Sequence, residues 1–148
     1  MTELGMESIF VDTGAFYARV DEDDAQHQSA VSLFDDIRTG AVSYRTVFTS
    51  QFVLSELATL ALYRLGHADA VRTLSAIRES ASINVLPVTQ SLFDAAFEQF
   101  QHYDDQQISF VDHTTGVLAS QHDISHIFAF DDDFRTLGFR VVPRDLNQ

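Results

Sequence analysis

The 148-residue chain contains no cysteine and no lysine, and all nine of its basic residues are arginines. Without cysteine there is no disulfide framework, no zinc–thiolate site and no thiol nucleophile. Without lysine there is no P-loop lysine, no Schiff base and no lysine beside a receiver-type aspartate cluster. Cationic charge is scarce overall: 22 acidic residues leave a net charge of −13. That balance argues against nucleic-acid binding through a simple basic patch. Long apolar runs are also missing. None approaches the ~20 residues that span a bilayer, and no basic stretch followed by an apolar run opens the chain as a signal peptide would. The expectation is a soluble, cytoplasmic protein with no membrane association. An acidic, lysine-free surface suits a salt-rich cytoplasm, where repulsion between carboxylates is screened, and we hypothesise a halophilic source.

What is present suffices for a core. Hydrophobic residues make up 45% of the chain and phenylalanine alone contributes 13. A chain of this length buries about 68–70% of its unfolded surface. The run SIFVD (Ser8–Asp12) reads as a buried strand feeding a helix. DEDD (Asp21–Asp24) is expected to cap a helix on which Ala30, Val31, Phe34 and Ile37 fall at helical spacing and which Gly40 ends. Val47–Thr49 is a strand candidate. Helices are expected over Gln51–Leu65, stopped by Gly66, and over Ala68–Arg78. Ile83–Val88 reads as a strand, Ser91–Tyr103 and Ser109–Gln121 as helices, and Ile127–Phe130 and Arg140–Val142 as strands. Phe93, Ala96, Phe97 and Phe100 share one face of their helix. Strands alternating with helices imply a parallel sheet covered on both faces. The chain, 1–148, reads as a single α/β domain.

In open α/β sheets, sites form beyond the carboxyl ends of the strands. Asp12 ends the first strand, and Asp131 is expected to end the fourth. Glu56 lies early in the helix after Thr49, among apolar neighbours, and Asp112 lies in the first turn of the helix near Ser109. Four carboxylates from four distant segments are thus candidates to converge on one edge. Converging carboxylates repel unless a cation holds them, and oxygen ligands select Mg²⁺, Mn²⁺ or Ca²⁺. Such ions activate water for phosphodiester hydrolysis. Each residue also has a plainer reading. Asp12 fits a turn or helix cap, Asp112 pairs with Ser109 in a capping-box pattern, Glu56 fits a solvated helix face, and Asp131–Asp133 fits an exposed turn. His122 and His126 have i,i+4 spacing, but the intervening Asp123-Ile124-Ser125 reads as a turn. His113 points away from its neighbour Asp112.

The segments FVDTGAFYA (Phe10–Ala18), TSQFVLSELATL (Thr49–Leu60), ISFVDHTTGVLA (Ile108–Ala119) and IFAFDDDFRTLGF (Ile127–Phe139) together resemble a PIN domain, specifically a VapC-type toxin ribonuclease. The resemblance runs from about Ile9 to Pro143. It implies a small parallel sheet with flanking helices and a Mg²⁺ or Mn²⁺ site built from Asp12, Glu56, Asp112 and Asp131, with Asp133 assisting. Thr115, three residues after Asp112, and Thr49 are supporting candidates. Where the family often has Ser, this chain has Gly14. The resemblance further implies an endoribonuclease leaving 5′-phosphate and 3′-hydroxyl ends, a homodimer, and a small antitoxin protein partner. A PIN nuclease of RNA maturation and a catalytically idle PIN binding module are the alternatives. Leu60, Leu62, Tyr63 and Leu74, on the helix pair after Thr49, are expected to line the partner groove. Phe16 and Tyr17 are candidates for base stacking. Arg19, Arg45, Arg64, Arg72, Arg78 and Arg135 are candidates for a basic rim that receives RNA. Within the acidic run, Asn substitution is expected to harm activity most at Asp131, less at Asp133 and little at Asp132.

Overall fold

The structure is a computed structural model and describes residues 7–146. Five short strands form one sheet: β1 (Ile9–Val11), β2 (Val47–Ser50), β3 (Ile83–Leu86), β4 (His126–Phe128) and β5 (Arg140–Val142). Their order is β3-β2-β1-β4-β5, and every neighbouring pair is parallel. Parallel neighbours require crossover connections. These are supplied by α1 (Thr13–Val20), α2 (His27–Thr39), α3 (Gln51–Leu65), α4 (His67–Glu79), α5 (Gln90–His102), α6 (Phe110–Gln121) and α7 (Asp133–Thr136). The α/β architecture is the one the alternating pattern predicts. No helix among the described residues is long and apolar enough to cross a membrane.

β1 is the middle strand, and Ile9, Phe10 and Val11 are all fully buried. Successive strand residues face opposite sides, so both faces of the sheet are covered there. Gly40 ends α2 with a left-handed backbone, φ +83°, which costs glycine nothing.

Several boundaries differ from the sequence reading. β3 stops at Leu86 rather than Val88 because Pro87 has no N–H to donate to the ladder. Asp21–Asp24 does not cap α2, whose N-cap residue is Gln26. Instead Asp21 accepts from the Tyr17 hydroxyl (2.5 Å) and the Asp23 amide (3.0 Å), and Asp24 accepts from the Gln26 amide (2.8 Å). Short carboxylates satisfy nearby amides in turns as readily as at helix ends. β4 ends at Phe128, so Asp131 lies three residues past the strand rather than at its end. Asp131–Asp133, which also fitted an exposed turn, runs into the one-turn helix α7, whose Phe134 is fully buried.

Candidate active site

β1 and β4 are hydrogen-bonded neighbours, yet the chain leaves β1 toward β2 and β3 and returns on the other side to β4. Strand order reverses between them, and a crevice opens beyond their carboxyl ends. Asp12, immediately after β1, donates its backbone N–H to the Phe128 carbonyl (3.0 Å). It precedes the first turn of α1 and is 5% exposed. Asp112 enters from α6. The Ser109 hydroxyl caps that helix by accepting from the Asp112 amide (3.1 Å), which brings the buried Asp112 carboxylate to the same edge. The loop after β4 supplies Asp131 and the start of α7 supplies Asp133, and Asp131 Oδ1 accepts from the Asp133 amide (3.0 Å).

Asp112, Asp131 and Asp133 each offer a carboxylate oxygen, and these atoms all lie within 4.8 Å of one another. Asp12 and the half-buried Glu56 stand outside that tight group but act on it electrostatically. Burial, reinforced by the charges of Asp131 and Glu56, raises Asp12 to about 7, partly offset by the amides of Thr13 and Gly14. Burial first, then the charges of Asp12, Asp131, Glu56 and Asp133, raises Asp112 to about 8. Asp131 is also raised, mainly by burial.

Such a cluster suits a hard divalent cation. Every donor is an oxygen. Asp12 Oδ1, Thr13 Oγ1 and Thr115 Oγ1 are buried with no hydrogen-bond partner. Buried polar atoms are ordinarily satisfied, and three orphans beside clustered carboxylates are what ion or ion-bound water coordination would complete. A cation would also reverse the upward pKa shifts.

The structure places most of the expected residues together: Asp12, Asp112, Asp131 and Asp133 on the crevice, with Glu56 in electrostatic reach and Thr115 fully buried nearby in α6. Thr49 has a different task. Its hydroxyl donates to the Val11 carbonyl (3.0 Å), pinning the end of β1 just before Asp12. A side-chain carbon at residue 14 would meet only Asp12 Oδ2, at 3.9 Å, so Gly14 leaves open space beside that carboxylate. Thr13 was not singled out from the sequence. The available signal was a hydroxyl directly after a strand-end aspartate.

Other expectations are corrected. Phe16 and Tyr17 are 4% and 2% exposed and pack in the core, where no base can stack on them. Leu60 and Leu74 pack against the core as well, leaving Leu62, Tyr63 and Val71 exposed on the α3–α4 pair. Among the described residues, most of the six arginines expected to form a basic rim are engaged in packing or pairing. Arg19 lies over Phe34, Arg64 over Tyr17, Arg72 pairs with Asp69 and Arg135 pairs with Asp145. Arg45 and Arg78 are exposed but precede β2 and β3, at the opposite edge of a parallel sheet. The histidines behave as expected. His126 Nδ1 is engaged by the Tyr44 hydroxyl (2.8 Å), and His113 turns away to Gln99 Oε1 (2.8 Å).

The PIN domain family model matches residues 9–140. A curated relative, the 23S rRNA-specific endonuclease VapC20 of Mycobacterium tuberculosis, is 37% identical over 134 residues, covering 90% of this chain and 97% of its own. The crystal structure of M. tuberculosis VapC20, described as a sarcin–ricin-loop-cleaving toxin, superposes with a TM-score of 0.80 at 37% identity, covering 88% of this chain and 95% of that one. FitAcB from Neisseria gonorrhoeae shares the fold at 17% identity and a TM-score of 0.65, covering 90% of this chain and 95% of that chain.

Proposed function

The chain belongs to the PIN-domain family, and from that premise we propose that it is a Mg²⁺- or Mn²⁺-dependent endoribonuclease, the toxin of a toxin–antitoxin pair. The observation that carries this reading is the meeting of Asp112, Asp131 and Asp133 within 4.8 Å, beside Asp12. Those three carboxylates would hold the ion, with Asp12 as a further oxygen donor beside them. When bound, the ion polarises the scissile phosphate and lowers the pKa of water. Glu56 orients the attacking water and accepts its proton. The hydroxyls of Thr115 and Thr13, which have no partner in the protein, are placed to donate to ion-bound water or to the substrate. The products carry 5′-phosphate and 3′-hydroxyl ends.

The substrate class is ribosomal RNA, supported by the VapC20 relative, which covers nearly the whole chain. A small antitoxin is the partner, with the exposed Leu62, Tyr63 and Val71 available to it. A homodimer is expected too, and the half-exposed Phe93, Phe97 and Phe100 of α5 provide an apolar face for it. The test is incubation of the purified protein with intact rRNA and Mn²⁺, followed by mapping of the cleaved ends. Expected are discrete 5′-phosphate cuts that chelation abolishes. If Mn²⁺-loaded protein leaves rRNA and other RNAs intact, the nuclease reading fails and the idle binding module takes its place.

A further inference from the structure

Two of the three clustered carboxylates lie here: Asp131 on the loop that leads into α7, and Asp133 as the first residue of α7. That helix is a single turn of four residues without a side-chain cap, too short to hold itself by its own hydrogen bonds. The charges of Asp131 and Asp133 act against that of Asp112, and those of Asp133 and Asp132 against that of Asp131, so repulsion alone would favour spreading this segment away from α6. Two anchors oppose this. One is Phe134, fully buried in the core. The other is Arg135, whose Nε donates to Asp145 Oδ2 (3.1 Å) while its terminal nitrogen contacts Oδ1 of the same carboxylate. One charge-assisted hydrogen bond and a second close charge contact to the same carboxylate restrict the orientation of Arg135 as well as its distance.

Asp145 is itself held. It is 5% exposed. Its Oδ2 accepts from the Val141 amide (2.9 Å), and its own amide donates to the Val141 carbonyl (2.8 Å). Arg140 donates to the Asp145 carbonyl (3.0 Å). The carboxylate is thus fixed to β5 and, through Arg135, fixes α7 two residues from Asp133. We propose that Asp145 is a positioning residue of the metal centre: with Arg135 it sets where Asp131 and Asp133 stand relative to Asp112, and thereby the affinity for a divalent ion. This rests on the reading that the cluster holds such an ion. The neighbouring pair, Arg144 with Asp132 at 2.5 Å, has both side chains more than half exposed and contributes little by comparison.

The experiment is a Mn²⁺ titration followed by the EPR signal of free Mn²⁺, well below the melting temperature, on wild type, Asp145→Asn, Arg135→Gln and Arg144→Gln. Asp145→Asn keeps the side-chain shape and an acceptor for Val141 but removes the charge. It should bind Mn²⁺ about tenfold or more weakly, as loss of supporting contacts does at metal sites. Arg135→Gln should match it, and Arg144→Gln should bind as wild type does. Arg135 is about a third exposed, so its variant carries the test if Asp145→Asn does not fold. Wild-type protein that binds no Mn²⁺ overturns the proposed function itself. Wild type that binds, with Asp145→Asn and Arg135→Gln binding equally well, overturns only this inference, even if both variants melt earlier.

Discussion

Asp12 and Asp112 reach about 7 and about 8 in the folded chain, against about 3.9 for an unfolded aspartate. Between those values the folded state binds more protons than the unfolded one, so stability of the metal-free protein falls as pH rises. The contribution is whole below about pH 4 and is lost progressively toward pH 8. Melting temperature measured in chelator should therefore drop from pH 5 to pH 8, and added Mn²⁺ should raise it more at pH 8 than at pH 5. A metal-free melting temperature that climbs over this range would contradict the buried-carboxylate account. Asp112→Asn removes the most perturbed charge. It should melt higher than wild type in chelator at pH 8 while losing about 100-fold or more of its Mn²⁺-dependent cleavage. Along the acidic run, cleavage assays should rank the Asn variants as Asp131 worst, Asp133 next and Asp132 near wild type. Asp131 both joins the cluster and accepts from the Asp133 amide, whereas Asp132 only joins an exposed pair with Arg144. These residues were legible because each follows a strand or opens a helix. The roles of Asp145 and Arg135 were not, because nothing local links them.

At the scale of elements, α6 joins folding to function through its cap. Ser109→Ala should cost about 1 kcal/mol of stability, read by thermal or urea unfolding. Because the Ser109 hydroxyl holds the Asp112 amide, Mn²⁺ affinity should weaken as well. Unaltered affinity would separate the cap from the site. The longer helices were readable from their apolar period, and capping at Ser109 from the S-x-x-D pattern. α7 was not readable, since four residues complete no amphipathic repeat and its place depends on Phe134 and Asp145. The phenylalanines of α5 show the limit of periodicity in another way. They share a face as expected, but Phe93, Phe97 and Phe100 remain 39–49% exposed and are only partly covered by Phe52, Phe110 and His113.

For the whole molecule, a charge of −13 with no lysine makes folding sensitive to ionic strength. Screening length falls from about 10 Å at 0.1 M salt to about 3 Å at 1 M. Melting temperature should rise steeply with KCl over that range, and a flat profile would remove the basis for a halophilic source. The sequence by itself determined the alternation of strands and helices, the absence of thiol and lysine chemistry, and the placement of Asp12 and Asp112 at element ends, because period, capping and composition act over a few residues. Only the tertiary structure decided that β4 lies against β1, that Asp131 and Asp133 thereby meet Asp112, that Phe16, Tyr17 and most arginines are committed to packing and pairing, and that Asp145 pairs with Arg135 of α7. Those outcomes depend on strand order and on contacts between segments far apart in the chain, which no local pattern encodes.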